Sequence, residues 1–151
     1  MRLRQRIQRR RKYRALFVAV DVRTGCIWYC WLDSMKGEEF CAVVRGIEQA
    51  GVLDAIVWDG APGHIDHRVA RIGVPLIGLP PYSPELNPAE RLFEAIRAEI
   101  EGEVYADLAA KCARVEAILT RWDAHPEQVR SLVGWHWIFD ALEQLPAPIT
   151  A

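Results

Sequence analysis

The 151 residues suffice for one domain, and their 51% hydrophobic content can build a sizeable core, which excludes a chain disordered throughout. No apolar run approaches the ~20 residues of a membrane span, and the apolar segment behind the basic N-terminus is too short for a signal peptide. The net charge of -1 conceals an asymmetry, because residues 1–14 hold eight basic side chains and no acid, whereas acids outnumber bases in the rest. The cysteines form no C-x-x-C pair, which favours reduced thiols in a cytoplasmic protein.

A basic arm, defined as residues 1–14, opens the chain with seven Arg and one Lys. A block of like charge is commonly a solvated arm. It also suits DNA, because each phosphate that it neutralises releases counterions. Composition leaves both interpretations open. We assign residues 15–145 to one domain and residues 146–151 to a short tail.

The first predicted elements form a hairpin. Tyr13–Val20 and Cys26–Leu32 are rich in β-branched and aromatic residues, and the turn residues 23–25 join them. The apolar spacing then predicts a helix over Glu38–Ala50, which Gly51 ends. The chain therefore begins with an antiparallel pair followed by a helix.

Two further strands are predicted at Val52–Trp58 and Val74–Leu79. Their ends are almost continuously apolar, which is typical of parallel strands covered on both faces. Residues 60–71 between them can hold a short helix. Three helical segments follow, at Pro88–Gly102, Asp107–Trp122 and within Pro126–Leu145. This order predicts an α/β fold with a mixed sheet flanked by helices.

Two carboxylates lie where these elements begin or end. Asp59 follows the third strand in a glycine-rich loop, and Glu90 lies in the first turn of the helix after the fourth strand. Carboxylate oxygens suit Mg²⁺, and metal-bound carboxylates serve in-line displacement at phosphorus. Structural roles are the alternatives: an Asx turn or helix cap for Asp59, and complementation of the helix dipole for Glu90.

The segments around the acids have two interpretations each. His64, five residues after Asp59, can orient an acid or contact phosphate, or can be a structural loop residue. The proline-rich stretch Leu79–Pro84 restricts the backbone directly before the acid-bearing helix, which favours a role in positioning Glu90. A polyproline II ligand for a partner domain is the alternative.

These motifs resemble a known family. The sequence DG-x-x-x-H at Asp59–His64, followed by LPPYSPELNPAE at Leu79–Glu90, is similar to the mariner-type DDE transposases of bacterial insertion sequences. The resemblance implies a ribonuclease-H-like fold, an Asp-Asp-Glu triad, Mg²⁺ or Mn²⁺ as cofactor, and DNA cleavage with strand transfer at transposon ends. By residue matching, Asp59 is the second acid and Glu90 the third, and both are implied metal ligands and catalytic residues with His64 beside them.

The first acid of the family has no match. Relatives carry this acid in an Asp-Glu pair on the first strand of the sheet. The first strand of this sequence resembles the second strand of those relatives. We therefore expect a sheet without its first strand. Asp21 is the upstream candidate for a metal ligand, and a place in the hairpin turn is its alternative role. Whether the chain is an enzyme by itself therefore stays open.

Two functions follow from this resemblance. One is transposition, with double-stranded DNA as transposon end and target, in a homodimer or with a companion transposase polypeptide. The other is an inactive transposase fragment that binds DNA or a transposase partner. Both imply a bacterial cytoplasmic protein that is nucleoid-associated when bound to DNA and does not enter a membrane.

Overall fold

The computed structural model describes residues 13–32, 42, 45–46, 56–58, 76–80 and 82–144. Its elements are four strands, one 3₁₀ turn and four helices: β1 Ala15–Val20, β2 Ile27–Leu32, β3 Ile56–Trp58, β4 Leu76–Gly78, the 3₁₀ turn Pro84–Leu86, α1 Pro88–Ile100, α2 Leu108–Ala124, α3 Pro126–Val133 and α4 His136–Glu143. Three described residues of the predicted helix Glu38–Ala50, at positions 42, 45 and 46, are helical. The short helix predicted within residues 60–71 lies outside the described residues.

The predicted hairpin is confirmed. β1 pairs antiparallel with β2, in a register that runs from Ala15 opposite Leu32 to Val20 opposite Ile27. One face of this hairpin packs on the core, and the opposite face also holds buried side chains, Phe17 and Leu32. Because both faces are covered, the two strands need apolar residues at nearly every position, as the sequence has.

The hairpin turn packs directly on a helix that is distant in sequence. Gly25 has a φ of +78°, and a Cβ built on it would lie 2.1 Å from the carbonyl oxygen of Pro126, the first residue of α3. Left-handed backbone and the absence of a side chain are both properties of glycine. This residue therefore lets the turn approach the start of α3 more closely than any other residue would.

A parallel strand pair forms the second sheet. β3 pairs with β4, with Ile56 opposite Leu76 and Trp58 opposite Gly78. The parallel direction agrees with the apolar runs of the sequence, although both strands are shorter than predicted. The described residues form two separate two-stranded sheets rather than the one mixed sheet that was expected. The observed architecture is a mixed α/β structure with a small, partial sheet.

Helices α1, α2 and α3 pack around one core. The residues with the most deeply buried side chains come from all three helices: Leu92, Ile118, Leu119, Val129 and Val133. α1 contacts β1, and α2 contacts β2, so the hairpin closes this core from one side. Each long helix is capped, since Asn87 accepts from Ala89 N at 3.1 Å and Asp107 accepts from Ala110 N at 2.8 Å.

The final helical segment divides in two. Gly134 N donates to Arg130 O at 2.7 Å and ends α3, after which α4 begins at His136. A Cβ at Gly134 would lie 2.6 Å from that same carbonyl, so the tight turn depends on glycine. The sequence predicted one helical segment within Pro126–Leu145, and the structure has two helices that are separated at Gly134.

The predictions about the cysteines and about membrane spans can be compared with the described residues alone. Among the described residues, Cys26, Cys30 and Cys112 form no disulfide bond. In the ranges that the structure describes, none of the helices combines the length and the apolar character needed to cross a bilayer.

Candidate functional site

The carboxyl ends of β3 and β4 lie level at one edge of their sheet. β3 ends at Trp58, which pairs with Gly78, the last residue of β4. Asp59 follows Trp58 directly, and the proline-rich stretch follows Gly78, so both motifs leave the sheet at the same edge. Ligands of α/β proteins bind at the carboxyl ends of parallel strands. Asp59 and His64 themselves lie outside the described residues, and their site roles stay predictions.

A series of hydrogen-bonded turns leads from the strand edge to Glu90. Leu86 N donates to Ser83 O at 3.1 Å, Asn87 N to Pro84 O at 3.0 Å, and Glu90 N to Asn87 O at 3.0 Å. The first two turns overlap, and the third begins at Asn87, where the second ends. These bonds hold the backbone from Ser83 to Glu90, directly after the proline-rich stretch Leu79–Pro84, whose own stiffness stays a prediction.

Glu90 is the third residue of α1 and is half-buried, with 33% of its side chain exposed. In a capping box this carboxylate would accept the N–H of Asn87, but that N–H donates to Pro84 O instead. The ion pair that Glu90 makes with Arg97 is long, at 3.9 Å, and Arg97 is mostly exposed. The carboxylate therefore neither caps the helix nor makes a close ion pair. Its place in the first turn complements the helix dipole.

The turn that carries Glu90 also packs on the segment Gly134–Trp137. The Arg91 guanidinium lies 3.8 Å from the centre of the Trp135 ring, and its Nη1 donates to Glu94 Oε2 at 3.0 Å. Trp135 in turn meets Trp137 edge-on, with ring centres 6.4 Å apart. No spacing signal joins them to Arg91, because the contact is made by tertiary packing alone.

Asp21 lies in the hairpin turn. Its Oδ1 accepts from Arg23 N at 2.9 Å and from Thr24 N at 3.3 Å, while its backbone N donates to Cys26 O. This pattern is an Asx turn, the structural role that the sequence offered as an alternative to metal binding. In the described parts of the chain, no three His, Cys, Asp or Glu side chains are grouped so as to hold a metal ion.

The groups with shifted pKa values lie away from Glu90, between α1 and α2. The Tyr105 hydroxyl donates to Glu103 Oε2 at 2.6 Å and, with the Arg114 guanidinium, holds the pKa of Glu103 below its ordinary value of 4.5. Partial burial and the same bond raise the pKa of Tyr105 above 10.0. Arg121 makes two bonds to Glu99, which raise the pKa of Arg121. These groups join the two helices and have no part in the proposed chemistry.

Comparison with known proteins gives a structural likeness and no sequence match. No family model matches the chain, and none of the curated proteins does. The chain is similar in structure to the catalytic core domain of BIV integrase, with 17% sequence identity and a TM-score of 0.47, over 69% of this chain and 74% of that one. At that TM-score the likeness assigns neither a family nor an activity to this chain.

Proposed function

We propose that this chain is the DNA cleavage and strand-transfer domain of a mariner-type DDE transposase of a bacterial insertion sequence. One observation carries the proposal: β3 and β4 are parallel and end level, so the loop with Asp59 and the stretch leading to Glu90 leave the same sheet edge. The motif resemblance then supplies the chemistry, and the half-buried Glu90 carboxylate agrees with it.

The two acids share one role in the proposed reaction, and the histidine has another. Asp59 and Glu90 would hold Mg²⁺ or Mn²⁺, and His64 would contact a phosphate or orient an acid. Glu90 fits this role because its carboxylate is a hard oxygen donor without a close partner cation. The bound metal would stabilise the attacking and leaving oxygens at phosphorus. The basic arm supplies cations for double-stranded DNA.

The proposal has two versions, which differ in the residue that supplies the first acid. One Asp21 oxygen is committed to two backbone N–H groups. The first acid is then Asp21 acting through its second oxygen, or an acid on a companion transposase polypeptide or second copy. The two sources make opposite predictions for Asp21→Asn, because asparagine keeps the accepting Oδ1 but loses the charge.

A second candidate function is an inactive transposase fragment that binds DNA or a transposase partner. Within the described ranges, β1 pairs only with β2, and β3 pairs only with β4. A two-stranded sheet is marginal by itself, and an unpaired edge is a template for another chain. These edges favour a partner that adds a strand, as in β-augmentation.

The test is a cleavage assay on a plasmid that carries the gene of this chain with its flanking DNA, in Mg²⁺ or Mn²⁺. We expect metal-dependent cleavage that Asp59→Asn and Glu90→Gln each reduce by at least about a hundredfold, because each removes a ligand charge. Glu101→Gln at the other end of α1 is the matched control and should keep full activity. Asp21→Asn keeps activity if the first acid comes from another polypeptide.

Two outcomes of the cleavage assay would contradict the proposal. If the chain cuts nothing at any metal concentration, alone or with the polypeptide encoded directly upstream, yet binds DNA with strong salt dependence, catalysis is excluded. The inactive DNA-binding fragment then replaces it. Equal cleavage by wild type and Glu90→Gln would remove Glu90 from the site.

A further inference from the structure

Tyr82 combines two unusual properties. Its φ is 57°, which makes it the one residue other than glycine with a positive φ in the described ranges, and its side chain is 101% exposed. A bulky side chain in left-handed backbone is a conformational outlier. Core packing cannot offset the conformational free-energy cost of this backbone, since the ring is fully exposed to solvent. Strained residues of this kind concentrate at sites of function.

The position of this ring is tied to Glu90. Ser83, the next residue, starts the series of hydrogen-bonded turns that ends at Glu90 N. Seven residues, 83–89, separate Tyr82 from Glu90, and the extended backbone of Asn87 joins the 3₁₀ turn to α1 within them. Prolines at positions 80 and 84 further restrict the backbone beside Tyr82. The exposed ring therefore lies on the segment that leads directly to the proposed metal carboxylate.

We propose that Tyr82 is a base-stacking residue, which receives an unpaired base of the DNA strand whose phosphate lies at Glu90. This inference rests on the proposed function, because Glu90 brings the strand to this surface. An exposed aromatic ring accepts any base through its face.

The surrounding sequence favours a base over a phosphate as the group that Tyr82 contacts. Residues 79–89 contain no Lys or Arg and one acid, Glu85, so this segment has no cation to offer to the DNA backbone. A base can be held by stacking without any charge. The contact would thus position a strand end without sequence preference.

The test uses the full chain and a duplex with a three-nucleotide single-stranded end, in which 2-aminopurine replaces one unpaired base. We expect wild type, Tyr82→Phe and Tyr82→Trp to quench its fluorescence by stacking. Tyr82→Ala should lose the quenching and bind this DNA about tenfold more weakly. Val104→Ala is the control, since Val104 is also exposed, at 97%, and lies outside the basic arm and the proposed site, so this variant should quench as wild type does.

Two further measurements separate the possible failures. Circular dichroism melting should give Tyr82→Gly a midpoint at or above that of wild type, because glycine relieves the left-handed backbone. Tyr82→Ala should melt close to wild type, because the exposed ring has no packing to lose. Tyr82-dependent quenching by a chain that never cleaves DNA would support stacking and exclude the catalytic proposal. Cleavage by a chain whose quenching is the same in Tyr82→Ala would overturn the stacking role alone. Loss of self-association in Tyr82→Ala with unchanged DNA binding would also overturn it and assign the ring to a protein contact.

Discussion

Two glycines in left-handed backbone show how differently single residues depend on their surroundings. Gly25 and Gly102 have nearly the same φ, +78° and +77°. A Cβ at Gly25 would meet the backbone of Pro126, whereas a Cβ at Gly102 would meet nothing within 4 Å. The first glycine is required by both conformation and space, and the second by conformation alone.

Gly25→Ala should destabilise the protein by about 2–4 kcal/mol, because backbone strain adds to a steric clash that two main-chain segments must move to relieve. Gly102→Ala should cost only ~1 kcal/mol, the conformational part by itself. Urea unfolding followed by circular dichroism measures both. Equal losses for the two variants would show that the close approach to Pro126 is unimportant for stability.

Asp21 illustrates how one residue type serves two chemistries. The sequence offered a metal ligand or a turn residue, since both need a carboxylate at the end of a strand. The structure shows the turn bonds of Oδ1. Residue identity alone could not decide this, because the bonds depend on the backbone folding back at Arg23 and Thr24.

At the scale of elements, α1 and α2 are joined by charged and polar bonds at their outer surface. Arg114 pairs with Glu99 at 3.8 Å and with Glu103 at 3.4 Å, and Tyr105 closes the group through Glu103. Such exposed pairs contribute little one by one. As a group they link the end of α1 to α2 at the surface.

This group predicts a pH dependence of stability. The pKa of Glu103 is lowered in the fold, so its contribution is present above 4.5 and is lost as the pH falls through the lower folded value. The pKa of Tyr105 is raised, so its contribution is present below 10.0 and is lost as the pH rises through the higher folded value. Tyr105→Phe should therefore lower the melting temperature between about pH 5 and 9 and lose this effect towards both extremes.

Melting curves of wild type and Tyr105→Phe across that pH range make the comparison. The matched control is Tyr13→Phe, which removes an exposed hydroxyl far from the group in sequence. A difference between wild type and Tyr105→Phe that stays constant down to pH 3 would contradict the link to Glu103.

The elements themselves were largely predictable. Apolar spacing placed α1 and α2 within two residues at each end, because Leu92, Ile96, Val115 and Leu119 repeat at helical intervals on a buried face. The break at Gly134 was missed, because the apolar pattern continues through it. Only the contacts of that glycine with Arg130 O and Phe139 explain the turn.

The whole molecule combines an acidic domain with a basic arm, and this charge distribution predicts how it binds DNA. Removing residues 2–12 deletes six Arg and Lys12. Because each phosphate contact contributes about -0.9 to the slope of log affinity against log salt, the truncation should reduce that slope by up to about six. Fluorescence anisotropy on a labelled duplex across a salt series measures it. An unchanged slope would show that the arm is merely solvated.

The site was predictable only where local chemistry determines it. Glu90 could be placed from sequence, because Asn87 and Pro88 mark a helix start and the acid follows within the first turn. The neighbouring Arg91–Trp135 stack could not, since it depends on how the last helical segment packs against α1. Parallel pairing of β3 and β4 followed from their apolar runs, whereas the separation of the two sheets did not.

The approach of Gly25 to Pro126 has a consequence for synthesis on the ribosome. The two residues are about 100 positions apart, so the nascent hairpin turn lacks this contact until α3 leaves the exit tunnel. Val129 and Val133 of α3 belong to the same buried cluster as Ile27 of the hairpin, so the core stays open to other chains on that side during the interval. Premature termination before α3 should therefore leave an aggregation-prone product, and chaperone demand should end only when the last quarter of the chain has been translated.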